Sequence, residues 1–377
     1  MERYFSADVL ADILRRMPPS ARRRARLVCR HWRDVVNKRT TEMRSRAKPL
    51  IWDDGGVAYV VDDDFSSPAS CRELWRTTLS VLDGRRGDRP TCHLVGACNG
   101  LICVCDSGER TGGDLTVSNP ATGETLPVPP LPCADLFVGS HRGRLRWDLA
   151  YNFAYHPVTG KYKVVHVPWS RDRLFDFQTV QVLTLGETTW REVPPPAGGA
   201  TCDLSAGIIT IDGVTHWVKV GSATRIVSFD LDTECFGSTT TLPKLPDTRS
   251  SYHLTEVHGR LGFVIFPDVW ILEQGRRWSR RYRLEEGVPR PHFIYGDCIL
   301  TWIYSYVKTS IDNSGFHAHR LKSTPPPSGW RLECDGVKRV GHRDHGTLVA
   351  RMKGNSERYR AFAYVETAEP LSVYATN

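Results

Sequence analysis

The sequence predicts a mainly β protein headed by a small α-helical module. Three observations carry that reading. Helical periodicity is strong in residues 1–48 and nearly vanishes afterwards. Across residues 49–377, short apolar runs alternate with turn signals, several of them Gly-containing pairs. Glycine (31), proline (24) and tryptophan (11) are plentiful among the 377 residues, a mix that suits short strands and tight turns better than a helix bundle.

The helical module comes first. Ser6 is placed to cap a helix running to Met17, within which Val9, Leu10, Ile13, Leu14 and Met17 make one apolar stripe. Pro18-Pro19 ends it, because proline drives the residue before it out of helical geometry. Ser20 is placed to cap the next helical stretch. Leu27 opens a further stripe of Val28, Trp32, Val35 and Val36, with arginines at 22, 23, 24, 26, 30 and 33 elsewhere around the axis. Helices this short bury little core by themselves, so the stripes need a partner or the body of the chain. Charge is also uneven: residues 1–48 hold 14 Lys+Arg against 5 Asp+Glu, and the remainder holds 36 against 37. A basic module could meet an acidic protein, a nucleic acid or an acidic membrane surface. The neutral body argues against a large nucleic-acid groove there.

In the body, Ile208-Ile209-Thr210-Ile211 and Val214-Thr215-His216-Trp217-Val218 flank Asp212-Gly213, a two-residue hairpin signal. Weaker versions stand at Asp54-Gly55, Asn99-Gly100, His258-Gly259 and Asp335-Gly336. Gly55 and Gly100 are 45 residues apart and Gly213 and Gly259 are 46 apart, the period of a four-stranded propeller blade. Other turns echo one another: Asn119-Pro120-Ala121-Thr122-Gly123-Glu124, His156-Pro157-Val158-Thr159-Gly160-Lys161 and Asp230-Leu231-Asp232-Thr233-Glu234. The strand, Gly186-Glu187 turn and Trp190-Arg191 sequence recurs with Gln274-Gly275 and Trp278, 88 residues later. These features predict a small helical domain over 1–48 and a β-propeller-like domain over 49–377, of six or seven blades, with the regularity of its C-terminal part left open.

The chain shows no Gly-rich phosphate loop and no Gly-x-Ser-x-Gly elbow, so no catalytic residue is expected. Cys103 and Cys105 alternate with Ile102 and Val104, which puts both thiols on one face of a strand as buried groups rather than zinc ligands. His317, His319, His342 and His345 fall in polar stretches read as loops, without a matching second pair. No metal or cofactor is expected. Eleven cysteines, an odd number, with no Asn-x-Ser/Thr site, no apolar signal core and no long apolar span, lead us to expect a reducing compartment, cytoplasm or nucleus, and no membrane partner. Trp169, with Arg171 and Arg173 in a polar stretch, is the candidate target-binding surface, since aromatic and arginine side chains dominate interface hot spots.

The strings Phe5-Ser6-Ala7-Asp8-Val9-Leu10, Ile13-Leu14-Arg15-Arg16-Met17-Pro18-Pro19 and Arg26-Leu27-Val28-Cys29-Arg30-His31-Trp32-Arg33 resemble an F-box, in its three ordered parts. The resemblance implies docking on a Skp-type adaptor, and through it on cullin and RING proteins, with adaptor contact at Phe5, Val9, Leu10, Ile13, Leu14, Met17, Pro18, Val28 and Trp32. The chain departs from the family pattern at Phe5-Ser6, where Leu-Pro is usual, and at Ala21-Arg22-Arg23, where the family has Ser-Leu-Leu. That second departure is expected to thin the apolar contact.

The body resembles the F-box-associated domain of plant F-box proteins. It carries that family's motifs in order at 97–103, 119–123, 155–164, 182–191, 212–217 and 229–234. Together the two resemblances imply a non-catalytic substrate receptor of a Skp–cullin–F-box ubiquitin ligase, binding an unidentified protein target and no nucleic acid. The alternative is a protein-interaction scaffold whose F-box binds the adaptor weakly or not at all. A sugar-binding or enzymatic propeller, and nucleic-acid binding by the basic segment, are more distant readings.

Overall fold

The computed structural model describes residues 5–39, 47–53, 56–61, 71–77, 91–108, 110–132, 134, 146–172, 175–220, 224–243, 252–273, 277–284, 291–295, 298–303, 315–320, 338–340, 347–351 and 360–375. Three helices open the chain: α1 (Ala7–Arg16), α2 (Pro19–Ala25) and α3 (Arg30–Arg39). Ser6 caps α1 by accepting from the Val9 N–H at 3.3 Å. Pro19 starts α2 rather than merely closing α1, since a residue at that position needs no N–H partner within the helix. Ser20 therefore lies inside α2, two residues past the cap position, which Pro18 occupies. Its amide and hydroxyl go elsewhere, as described below.

The remaining described elements are strands, and they form six sheets of four or five strands together with one two-stranded ribbon. Blade 1 joins Lys48–Trp52, Val57–Val61 and Cys71–Arg76 to the C-terminal strand Arg360–Tyr364. Blade 2 is built from Cys92–Cys98, Leu101–Asp106, Asp114–Ser118 and Thr125–Pro127, and blade 3 from Tyr151–His156, Lys161–His166, Val180–Thr184 and Arg191–Val193. Blade 4 runs from Ile208–Ile211 through Val214–Lys219 to Arg225–Asp230, with its outer edge split between Cys235–Phe236 and Thr240–Thr241. Blade 5 comprises Tyr252–Val257, Arg260–Ile265, Asp268–Leu272 and Trp278–Leu284, edged by the parallel strand Lys338–Val340. Blade 6 comprises Pro291–Tyr295, Cys298–Ile303, Gly315–Arg320 and Thr347–Arg351.

The innermost strands adjoin in cyclic order, so the sheets make a closed six-bladed ring. Its seal is the antiparallel pairing of Arg360–Tyr364 with Lys48–Trp52, in which Leu50 stands opposite Phe362. Residues beyond 285 thus complete the propeller.

Strand alternation explains the core. Residues 101–105 are all buried, yet they serve two interfaces. Leu101, Cys103 and Cys105 pack with Tyr151, Phe153 and Tyr162 of blade 3, whereas Ile102 and Val104 pack with Leu50, Trp52 and Tyr364 of blade 1. A period of two, read from a strand buried on both faces, feeds one core on each side of the blade. Cys103 and Cys105 do share a face, and burial pushes both thiols up. His317 and His319 lie on a strand of blade 6, buried, not in the loop expected of them; His319 Nε2 pairs with Thr301 Oγ at 2.8 Å. His342 and His345 lie outside the described residues.

The turn chemistry follows the sequence closely. Asn99-Gly100, Asp212-Gly213 and His258-Gly259 all have positive φ at both residues, as a two-residue hairpin of this hand requires. Asp54-Gly55 and Asp335-Gly336 lie outside the described residues. Gly55 falls between the second and third strands of blade 1, whereas Gly100 joins the first and second strands of blade 2. Their 45-residue spacing therefore does not measure a repeat. The regular period is broken by the connection across 128–150 and by the ribbon Trp169–Asp172 and Phe175–Phe177, inserted within blade 3.

Because neighbouring strands run antiparallel, the described turns between strands one and two and between three and four share one face, here called the turn face. The links between two and three, and from blade to blade, lie on the other, the loop face. The echoing turns at 119–124, 156–161 and 230–234 all belong to the turn face. In blade 1 the link between strands one and two is replaced by the C-terminal tail leaving Tyr364 and by the chain arriving from α3, so the helical module joins the ring at the turn face.

Candidate adaptor surface and its joint to the propeller

Within the helical module, Leu10, Ala11 and Leu14 of α1 pack with Ala25, Val35 and Val36, and Met17 and Trp32 border them. One turn apart on α1, Val9 and Ile13 face outward, and so does Phe5 ahead of the helix. The turn between α2 and α3 leaves Leu27 80% and Val28 63% exposed. The stripe expected to meet the adaptor is thus divided. Phe5, Val9, Ile13 and Val28 are presented at the surface, Met17, Pro18 and Trp32 are half-buried, and Leu10 and Leu14 are fully interior. The latter two cannot touch a partner of the folded chain, and their role is to hold α1 against α3. Leu27, not singled out from the sequence as a contact, is the most exposed large apolar side chain among the described residues; its place just before α3 was the signal.

Arg22 was expected to thin the partner-facing surface. It is instead 3% exposed, on the same helix as Ser20. Next to it lies the joint between module and ring. Glu369, fully buried on the C-terminal tail, accepts from the Ser20 N–H at 3.0 and 3.1 Å and from the Ser20 hydroxyl at 3.1 Å. The Tyr374 hydroxyl donates to the same carboxylate at 2.5 Å. The tail is in turn held by Asn119, whose side-chain amide donates to the carbonyls of Thr367 (3.1 Å) and Glu369 (2.7 Å).

Three of the motifs shared with the F-box-associated domain meet in one ion-pair network between blades 3 and 4. Glu234 receives Lys163 Nζ at 2.6 Å and the Arg191 guanidinium at 2.6 and 2.8 Å. Lys163 Nζ also donates to the Leu231 carbonyl, and Arg191 to Glu187 and to Thr184 Oγ. Burial raises the Glu234 carboxyl, but the hydrogen bonds and charges of Arg191 and Lys163 outweigh it and hold the group below its ordinary value. Asp230 accepts from the backbone of Asp232 and Thr233, closing the turn that presents Glu234. These motif residues therefore bind blade to blade.

The ribbon carrying Trp169 lies on the loop face, opposite the helical module, but Trp169 itself is buried. It stacks on Phe177 at 5.6 Å, meets Trp147 edge-on, and donates from Nε1 to His166 Nε2 at 3.2 Å. The polar residues around it in sequence mark the ribbon, whereas the indole anchors it. Arg171 is on the ribbon, with its side chain outside the described residues, as is Arg173 altogether.

Comparison with known proteins agrees with this geometry. A model of the F-box domain matches residues 5–41, and a model described as an F-box associated beta propeller domain matches residues 73–295. An F-box protein of Arabidopsis thaliana is 25% identical over 328 residues, covering 75% of this chain and 73% of its own length. Another F-box protein of the same plant is 26% identical over 237 residues (61% and 72%), and an F-box/kelch-repeat protein is 22% identical over 291 (71% and 75%). With an F-box at its head and a ring built from the associated motifs, the chain belongs to the F-box-associated β-propeller family, the architecture of a substrate-recognition adaptor.

Proposed function

We propose that this chain is the substrate-recognition subunit of a Skp–cullin–F-box ubiquitin ligase. The F-box holds a Skp-type adaptor, and through it cullin and RING proteins. The loop face of the propeller holds a protein target, and ubiquitin passes from the partner enzyme to a target lysine by proximity. No group on this chain needs to take part in the chemistry, because holding reactants together itself supplies much of the barrier reduction. Loops carried on a rigid ring suit target recognition. We place the chain in the cytoplasm or nucleus, a setting in which cysteines stay reduced; the nine described cysteines are joined by no disulfide.

One observation carries the reading. Phe5, Val9, Ile13, Leu27 and Val28 remain exposed although the propeller is present, so the module does not spend these apolar side chains on its own body. The test is capture of the full chain by purified Skp-type adaptor, compared with a variant carrying Ile13→Asp and Val28→Asp. Tight capture of the parent chain, lost in a variant whose thermal melting is unchanged, supports the reading. Failure of the folded parent chain to bind moves the protein to the scaffold alternative.

A further inference from the structure

Among the described residues, the carboxylate of Glu369 is the one fully buried acidic side chain at the joint between helical module and ring, and its partners come from both. Ser20 supplies an amide and a hydroxyl from α2, while Tyr374 supplies a hydroxyl from the tail. The tail is itself fastened to three blades. Asn119 of blade 2 holds two of its carbonyls, and Glu124 accepts from the Leu371 N–H at 2.9 Å. Leu371 and Tyr374 lie in the core between blades 2 and 3. Gly100, with φ +83°, leaves just enough room for Val365 and Thr367: a Cβ there would come within 2.2 Å of the Thr367 methyl. Tyr364, where the tail begins, ends the strand that closes the ring in blade 1.

We propose that Glu369 is a clasp that locks the F-box onto the turn face of the propeller in a single orientation. The segment 365–375 then has a task beyond ring closure. It fixes the helical module on the ring, so that adaptor and target-binding loop face are held at constant separation. The clasp acts whether or not an adaptor is bound, and its failure would leave the adaptor reading untouched. Ser20 and Glu369 are positioning residues, not contacts of any partner.

The experiment uses the full chain with two site-specific fluorophores, introduced as unnatural amino acids at the exposed positions Asp12 and Val158. Energy transfer then reports the distance between α1 and the turn face. The parent chain is expected to give one narrow distance distribution. Glu369→Gln, which keeps the size of the side chain but places an amide where Ser20 offers donors, is expected to broaden it and to speed hydrogen exchange at the Ser20 amide at least tenfold. The melting temperature of the ring and adaptor capture should both stay unchanged. A narrow distribution in the variant, or Ser20 exchange unaltered, overturns the proposal. Should the variant not fold, the parent chain decides with a specific protease site placed in 40–46. After cleavage, a clasped F-box co-elutes with the propeller, and separation of the two fragments overturns the clasp.

Discussion

Lys163 is a charged residue with a side chain only 6% exposed, tolerable there because Glu234 stands against it. Removing one partner of such a pair strands the other, so Glu234→Ala is expected to cost about 3–5 kcal/mol in chemical denaturation. A cost below about 1 kcal/mol would show that Lys163 escapes to solvent. His166 and His216 give a second residue-scale expectation. Burial lowers their pKa values from 6.5 to about 3 and about 4. The unfolded chain thus binds protons between pH 6.5 and these values that the fold refuses. The stability they contribute is complete above pH 6.5 and is lost as the pH falls toward 4. Glu234, held below its ordinary value, adds in the same direction at lower pH. Urea midpoints should therefore fall from pH 7 to pH 5, and His166→Leu should flatten that slope by up to about 1.4 kcal/mol per pH unit. The variant also leaves the Trp169 indole N–H without its acceptor, so its midpoint at pH 7 should drop.

At the scale of elements, α1 has an apolar stripe wider than one core needs. Leu14→Ala removes a fully buried side chain and should cost about 2–5 kcal/mol, seen as early melting of the helical module. Ile13→Asp, one residue away and exposed, should leave that melting alone and abolish adaptor capture. Periodicity marked both residues equally. Only α3, packed on one side of the stripe, separates what holds the module together from what it offers outward. The blade elements were more legible. Asp212-Gly213 and His258-Gly259 are turns because their residue types accept positive φ, a strictly local property. The Trp169 ribbon was less so: the sequence signalled a polar insertion, but its indole packs on Phe177 across the ribbon and on Trp147, which lies ahead of blade 3.

For the molecule as a whole, closure rests on one pairing between the two ends of the propeller, Lys48–Trp52 with Arg360–Tyr364. Truncation after residue 359 removes the inner strand of blade 1 and leaves a long apolar edge unpaired. The truncated chain is expected to unfold without a single cooperative transition and to aggregate, which calorimetry and light scattering would detect. Truncation after 366 keeps the closing strand and removes the clasp together with Leu371 and Tyr374 of the core between blades 2 and 3, so it should leave a ring that still unfolds in one transition, at a lower melting temperature, with a freed F-box. The two cuts together distinguish closing the ring from fixing the module.

The sequence by itself determined the helical module, the strand-and-turn character of the body, the family motifs and the two-residue hairpins. Each is written in neighbouring residues, as period or as tolerance of positive φ. It also carried Lys163, Arg191 and Glu234 as motif residues, though not the single network they form. The tertiary structure alone decided the ring closure, the inward turn of Leu10, Leu14 and Trp169, and the burial of Glu369. The reason is that a strand's partner, or a buried carboxylate's donors, leave no local mark: Ser20 and Glu369 stand 349 residues apart, and only the closed ring brings them together.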